Sequence, residues 1–214
     1  MRYLKFILTA ALFLMGCTLS VQAKRVKKTD HAYVDLGLPS GTLWATYNIG
    51  ATKPEECGDY FAWGETEPKE VYVRSTYKWG DDEMTKYNDG DGLTTLLPED
   101  DAATAKWGSE WRMPTNEEQR ELVEECQYQM TEVNGVYGAK FTGKNGNFVF
   151  FPAAGGRNGS AADPVGYYGT YWSSSLSEKG EDIARSLYFR ENEAYWLNDG
   201  SDNGFPVRAV LAKK

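Results

Sequence analysis

Histidine is almost missing from this chain: His31 is the only one in 214 residues, and cysteine occurs at just three positions, Cys17, Cys57 and Cys126. A multi-histidine metal site is therefore excluded, and a catalytic triad would have to rest on His31 alone. Positive charge is also short, with 23 Lys and Arg against 31 Asp and Glu, a net charge of −8. Without a basic face there are no counterions to displace from phosphates, so nucleic acid and anionic membrane surfaces fall away as partners. No apolar run approaches the ~18 residues of a membrane span. The apolar run from Phe6 to Met15 is only about ten residues long. What the chain has in quantity is 22 Gly, 8 Pro, 7 Trp and 14 Tyr, the composition of a turn-rich fold packed by aromatic rings.

That apolar run follows Arg2 and Lys5, and small and polar residues come after it, which is the layout of an export signal. Two processing sites compete. Val21-Gln22-Ala23 has the small-residue pattern of ordinary cleavage, giving a signal peptide of residues 1–23, whereas Leu14-Met15-Gly16-Cys17 has the layout of a bacterial lipobox. Lipid on Cys17 would turn residues 18–28 into a basic tether and make the protein an outer-membrane lipoprotein; ordinary cleavage would leave it periplasmic or secreted. Removing residues 1–23 takes away two positive charges and no acid, so −8 becomes −10. In an oxidising compartment Cys57 and Cys126 either pair as a disulfide or stay as two small apolar residues; both readings stand. Lys24 to His31 reads as a charged linker in which His31 is solvated, followed by a single domain over 32–214.

The domain opens with strand, turn and strand: Tyr33 to Leu36, Pro39-Ser40-Gly41, then Thr42 to Ala45. Lys78 to Asp101, with few apolar positions and the run Asn88-Asp89-Gly90-Asp91-Gly92, reads as a long surface loop leading to a short helix ending at Trp107. Thr115 with Glu118 three residues on predicts a capping box, and Leu122, Val123 and Cys126 extend one apolar face of that helix. Strands follow at Met130 to Val133 and Val136 to Thr142, joined by Asn134-Gly135, and at Phe148 to Phe151. Further strands are expected over 170–174, 185–189, 194–197 and 205–211, so the class is α+β, with short antiparallel sheets, one or two helices and much loop.

Several strings, taken in order, carry a resemblance: Tyr33 to Ala45 (YVDLGLPSGTLWA), Gly58 to Glu65 (GDYFAWGE), Trp111 to Thr115 (WRMPT), Tyr171 to Ser174 (YWSS) and Gly204 to Arg208 (GFPVR). Together they resemble the Fibrobacter succinogenes major paralogous domain family, exported or surface-exposed proteins abundant in Bacteroidetes-type bacteria. The likeness covers Tyr33 to Leu211. It implies a C-type-lectin-like fold, distantly similar to formylglycine-generating enzymes and to the variable receptors of diversity-generating retroelements. Arg112 to Thr115 leading into a helix and Gly204-Phe205 near the end are the shared skeleton. The resemblance implies that the terminal strands pair with each other and that a long loop region presents the ligand surface. The enzymes of that fold need a cysteine pair or a histidine-based iron site late in the chain. Neither residue type occurs after Cys126, so the resemblance implies a fold without its catalysis.

A ligand-binding face is expected in the C-terminal half, the variable region of the retroelement receptors. Tyr167, Tyr168, Tyr171, Tyr195, Trp196, Asn198, Asp199, Asp202 and Asn203 mix aromatic rings with short polar side chains. That is a paratope-like mixture, in which rings give rigid area and the polar groups adapt their hydrogen bonds, and sugar faces stack on such rings too. The alternative for Trp172 and Trp196 is burial in the core. Calcium is the one cofactor left open: Trp196-Leu197-Asn198-Asp199 carries an inserted leucine in the Trp-Asn-Asp triplet of sugar-binding C-type lectins. Asp89 to Gly92 fails as an EF-hand, because Gly92 at the sixth position puts Pro98 at the twelfth; Asp100 or Asp101 reads instead as a helix cap. Glu65, Glu67, Glu117, Glu118 and Asp59 supply carboxylates, but spacing alone does not set the separation a glycosidase pair needs. Ser173-Ser174-Ser175 lacks a nucleophile-elbow pattern. The expectation is a non-enzymatic envelope module for a glycan or a surface protein; a structural assembly role without soluble ligand is the alternative.

Overall fold

The computed structural model describes residues 31–80 and 83–211; the export signal, Cys17 and the linker up to residue 30 lie outside the described residues. The described residues form a mixed α+β fold of short antiparallel sheets with two α-helices. No helix among the described residues is long and apolar enough to cross a membrane.

The opening hairpin forms where expected. Strand β1 (Tyr33–Asp35) pairs antiparallel with β2 (Leu43–Ala45), and the turn between them closes with the Gly41 N–H donating to the Leu38 carbonyl. Gly41 sits at φ +72°, a conformation that costs a residue with a Cβ. Next comes β3 (Tyr60–Phe61), then the long loop, whose described residues form no strand and which ends in helix α1 (Ala102–Trp107). Asp101 caps α1 by accepting from the Thr104 N–H. Strand β4 (Trp111–Arg112) leads into helix α2 (Asn116–Glu125), whose capping box is complete: Thr115 accepts from the Glu118 N–H while the Glu118 carboxylate accepts from the Thr115 N–H.

A meander of β5 (Gln127–Val133), β6 (Val136–Thr142) and β7 (Phe148–Pro152) follows, its first turn made by Asn134 and Gly135 at positive φ. A small ribbon of β8 (Arg157–Asn158) and β9 (Ala161–Ala162) precedes the central three-stranded sheet β10 (Tyr168–Leu176), β11 (Ile183–Arg190) and β12 (Glu193–Gly200). The expected last strand over 205–211 is broken in two. Strand β13 (Phe205–Pro206) pairs with β3, and β14 (Val210–Leu211) inserts between β2 and β4. Pro206 has no N–H to continue a ladder, and the carbonyls of Val207 and Ala209 instead accept from the N–H groups of Ile49 and Ala45.

The central sheet divides two aromatic cores. Trp172 packs with Trp63, Trp111, Tyr87 and Phe205 on one side; Tyr171, Leu187 and Phe189 pack with Trp44, Phe141 and Phe151 on the other. Each such side chain contributes about 1.5–3 kcal/mol on full burial.

One open alternative is closed here and one expectation is corrected. Cys57 and Cys126 do not pair: both are free thiols, held on separate elements, Cys126 at the end of α2 and Cys57 in the loop before β3. His31 is not a solvated linker residue either. Its ring stacks on Trp107 at 3.9 Å and 12°, and its Nδ1 lies 3.2 Å from the Tyr47 hydroxyl, so His31 is part of the packed domain.

Candidate ligand-binding surface

Strand alternation gives the central sheet two chemically different faces. On one, Tyr171, Phe189, Leu187 and Ala194 join the second core beneath α2. On the other, Trp172 and Ala184 enter the first core at one end, while the end nearest the β11–β12 turn is uncovered. There Tyr188 opposes Tyr195 and sits diagonally from Tyr168, which is opposite Arg190. The three rings form a row across the strands, with centroids 5.5 Å apart at 29° for Tyr168–Tyr188 and 5.2 Å apart at 44° for Tyr188–Tyr195. Tyr167 precedes them and is 72 % exposed.

Tyr167, Tyr168 and Tyr188, with Arg190, Glu191, Asn192 and Glu193, line an open cleft of about 510 Å³. The Arg190 Nε donates to the Glu193 carboxylate at 2.6 Å, so the pair neutralises itself at the rim. The Tyr168 hydroxyl donates to Asp163; burial and that neighbouring carboxylate push the phenol pKa upward, keeping it a neutral donor. Deeper on the same face, Asp199 accepts from the Ser186 hydroxyl, and burial raises its pKa against that hydrogen bond. The cleft offers ring surface, phenol hydroxyls, one side-chain amide, the Glu191 carboxylate and a balanced ion pair.

The nine residues expected to bind do not form one site. Tyr167, Tyr168 and Tyr195 belong to the open face, and Asp199 lies further along it. Tyr171 is fully buried, its hydroxyl donating to the Pro152 carbonyl at 2.8 Å and accepting from Asn48, so it is a core residue and not a contact. Trp196 and Asn198 point to the opposite face. The Arg120 guanidinium covers the Trp196 ring at 4.5 Å, and Asn198 accepts from the Ser177 hydroxyl at 2.6 Å. Asp202 and Asn203 lie beyond the far end of β12, where Asn203 accepts from Asn158 at 2.8 Å. At ~3.3 Å per residue the five steps from Tyr195 to Gly200 cover about 17 Å, so these two belong to a different part of the surface. Tyr188, Arg190 and the tip residues were missed. Tyr188 was legible from alternation alone, because it shares parity with Ser186 and Arg190 in β11.

Three of the five candidate carboxylates, and two acids of the long loop, are committed to structural partners. Glu65 accepts from Lys69 at 2.8 Å, Glu67 from Lys106 at 2.6 Å, and Glu118 holds Arg112 in a two-pronged ion pair. Asp91 accepts the N–H groups of Tyr87 and Leu93, and Asp100 bonds Lys78, Lys86 and Tyr87. Among the described residues no group of three or more His, Cys, Asp or Glu side chains is placed to hold a metal ion.

Fold and surface together define a mixed α+β protein with an open, tyrosine-lined face. Comparisons with protein-family models, curated proteins and solved structures find no match to this chain.

Proposed function

We propose that this chain is an exported cell-envelope binding module of C-type-lectin-like fold, held as an outer-membrane lipoprotein or released to the periplasm or exterior. It recognises a glycan or protein ligand through its C-terminal half. The fold reading is supported by β14 returning to pair with β2 of the opening hairpin and by Arg112 to Thr115 leading into α2. The observation that carries the function is the row of part-exposed Tyr168, Tyr188 and Tyr195 beside exposed Tyr167, on a face that the other described residues leave open. Rings of this kind offer large rigid contact area with little entropy to lose on binding. Binding is favoured over catalysis because the charged residues lining the cleft include no base set against a nucleophile, and Arg190 and Glu193 satisfy each other.

The test is a glycan array probed with the mature chain, once with calcium and once with chelator. Binding that survives chelation supports the tyrosine face, binding lost on chelation assigns the protein to the calcium-dependent lectins, and silence in both moves the ligand to a protein. One observation favours the assembly reading: β12 is the edge of its sheet, and Glu193 to Gly200 contains neither the lysine nor the proline that commonly guards an edge. Elution as a monomer at high concentration removes that reading.

A further inference from the structure

We propose that the ligand is a neutral glycan chain that crosses the tip of the β11–β12 hairpin, with one stretch in the cleft described above and the next in a second cleft on the far side. This rests on the binding reading and specifies its substrate class.

The second cleft, of about 560 Å³, is lined by Tyr128, Gln129, Met130 and Tyr137 and by Glu191 and Asn192. The same two tip residues wall the first cleft, so the hairpin tip is a ridge between two tyrosine-lined hollows. The Tyr128 hydroxyl donates to the Arg190 carbonyl at 3.2 Å, which ties the β5–β6 sheet to the base of that ridge. Because Glu191 and Asn192 line both, the two hollows adjoin. Tyr137 is 40 % exposed and Tyr167 72 %, one on each side.

The ridge itself is strained. Glu191 occupies φ +29° in a two-residue turn where glycine is the ordinary occupant. Its exposed side chain makes no hydrogen bond among the described residues that offsets this. Strain kept at a surface ridge between two hollows marks a place where shape has been retained at the expense of stability.

Charge and lining select the ligand. Glu191 and Glu193 outnumber Arg190, which is already paired, and exposed Glu132 stands opposite Tyr137, so a polyanion is repelled. Met130 is the only aliphatic lining residue of either cleft, whereas a protein partner draws its affinity from buried apolar anchors. Rings with phenol hydroxyls and the amides of Gln129 and Asn192 suit an uncharged polymer of hydroxyl groups.

Calorimetric titration of the mature chain with α-linked and β-linked glucose oligomers of increasing length tests this, alongside the array above. For one series, affinity is expected to rise by about ten-fold or more once the chain is long enough to engage both hollows. Tyr137→Ala and Tyr167→Ala are each expected to remove that gain while leaving the melting temperature unchanged. For the shortest binding oligomer only one of the two variants should matter. Affinity independent of chain length, or a long oligomer indifferent to Tyr137→Ala, overturns the two-cleft site while leaving the binding reading intact. Array binding confined to acidic glycans overturns the neutral ligand. Absence of any glycan binding overturns the proposed function's glycan arm together with this inference.

Discussion

Arg208 brings a guanidinium into the core with no carboxylate beside it. Its Nε donates to Asn48 Oδ1 at 2.7 Å, its Nη1 to the Ala45 carbonyl at 3.2 Å, and its plane lies 4.5 Å from the Phe151 ring. Burial lowers its pKa to about 10, which still leaves it charged at neutral pH. Arg208→Ala strips the packing from Phe151 and leaves two buried acceptors unpaired, so a loss of about 3 kcal/mol is expected in urea unfolding. Side chains of the central sheet divide by face. Tyr195→Ala is expected to weaken ligand binding with little change in melting temperature, whereas Asn198→Ala, on the opposite face, leaves binding intact. Tyr171→Phe reverses the pattern: losing the hydrogen bond to Pro152 costs about 1 kcal/mol of stability and does not touch binding. Parallel binding and melting measurements on the three variants check all of this.

At the scale of elements, Glu118 connects three pieces of chain. It completes the α2 capping box, receives both prongs of Arg112 from β4, and accepts from Thr42 at the edge of β2. Burial pushes its pKa up, but Arg112 and the Thr115 N–H outweigh burial, so the folded value lies below the ordinary 4.5. A depressed carboxyl pKa contributes stability above 4.5 that disappears as pH falls through the lower folded value. Glu118→Gln should therefore be less stable than the parent at pH 7, with the difference shrinking toward pH 3 in denaturant titrations. Thr115→Ala removes the other half of the box at about 1 kcal/mol. Both halves of this element were legible in the sequence, because a capping box spans only four consecutive residues and needs nothing from elsewhere.

Across the whole molecule, two aromatic cores hold the fold, with no cross-link among the described residues. Cys126 is buried, and burial followed by nearby Glu125 and Glu121 pushes its thiol up to about 11, so it is mostly protonated and a poor nucleophile. Cys57 is half-buried, and burial raises its pKa as well. Reductant is therefore expected to leave the melting temperature of the mature chain unchanged. A thiol reagent should label Cys126 slowly in the native state, and both cysteines fully in denaturant. Labelling of neither cysteine in denaturant, with recovery on reduction, would show a disulfide instead.

Neighbouring residues alone determined much of this protein: the α+β class, the opening hairpin, the Asn134-Gly135 turn, the capped helix and the acid that starts α1. Each depends on backbone preferences or side-chain reach over a few positions, and so survives in any fold that accepts them. Alternation also put Tyr168 and Tyr171 on opposite faces of β10, since they are three residues apart. Which face would be covered was decided only in three dimensions, when α2 and the β5–β7 meander packed over Tyr171 and Trp196 and left the tip of the tyrosine row bare. The break between β13 and β14 has the same origin. The run from Phe205 to Leu211 reads as one strand, but its two ends are claimed by β3 in one sheet and by β2 and β4 in another. Hydrogen bonds to Asn48 and Ala45, 160 and 163 residues away, draw Arg208 across the space between them.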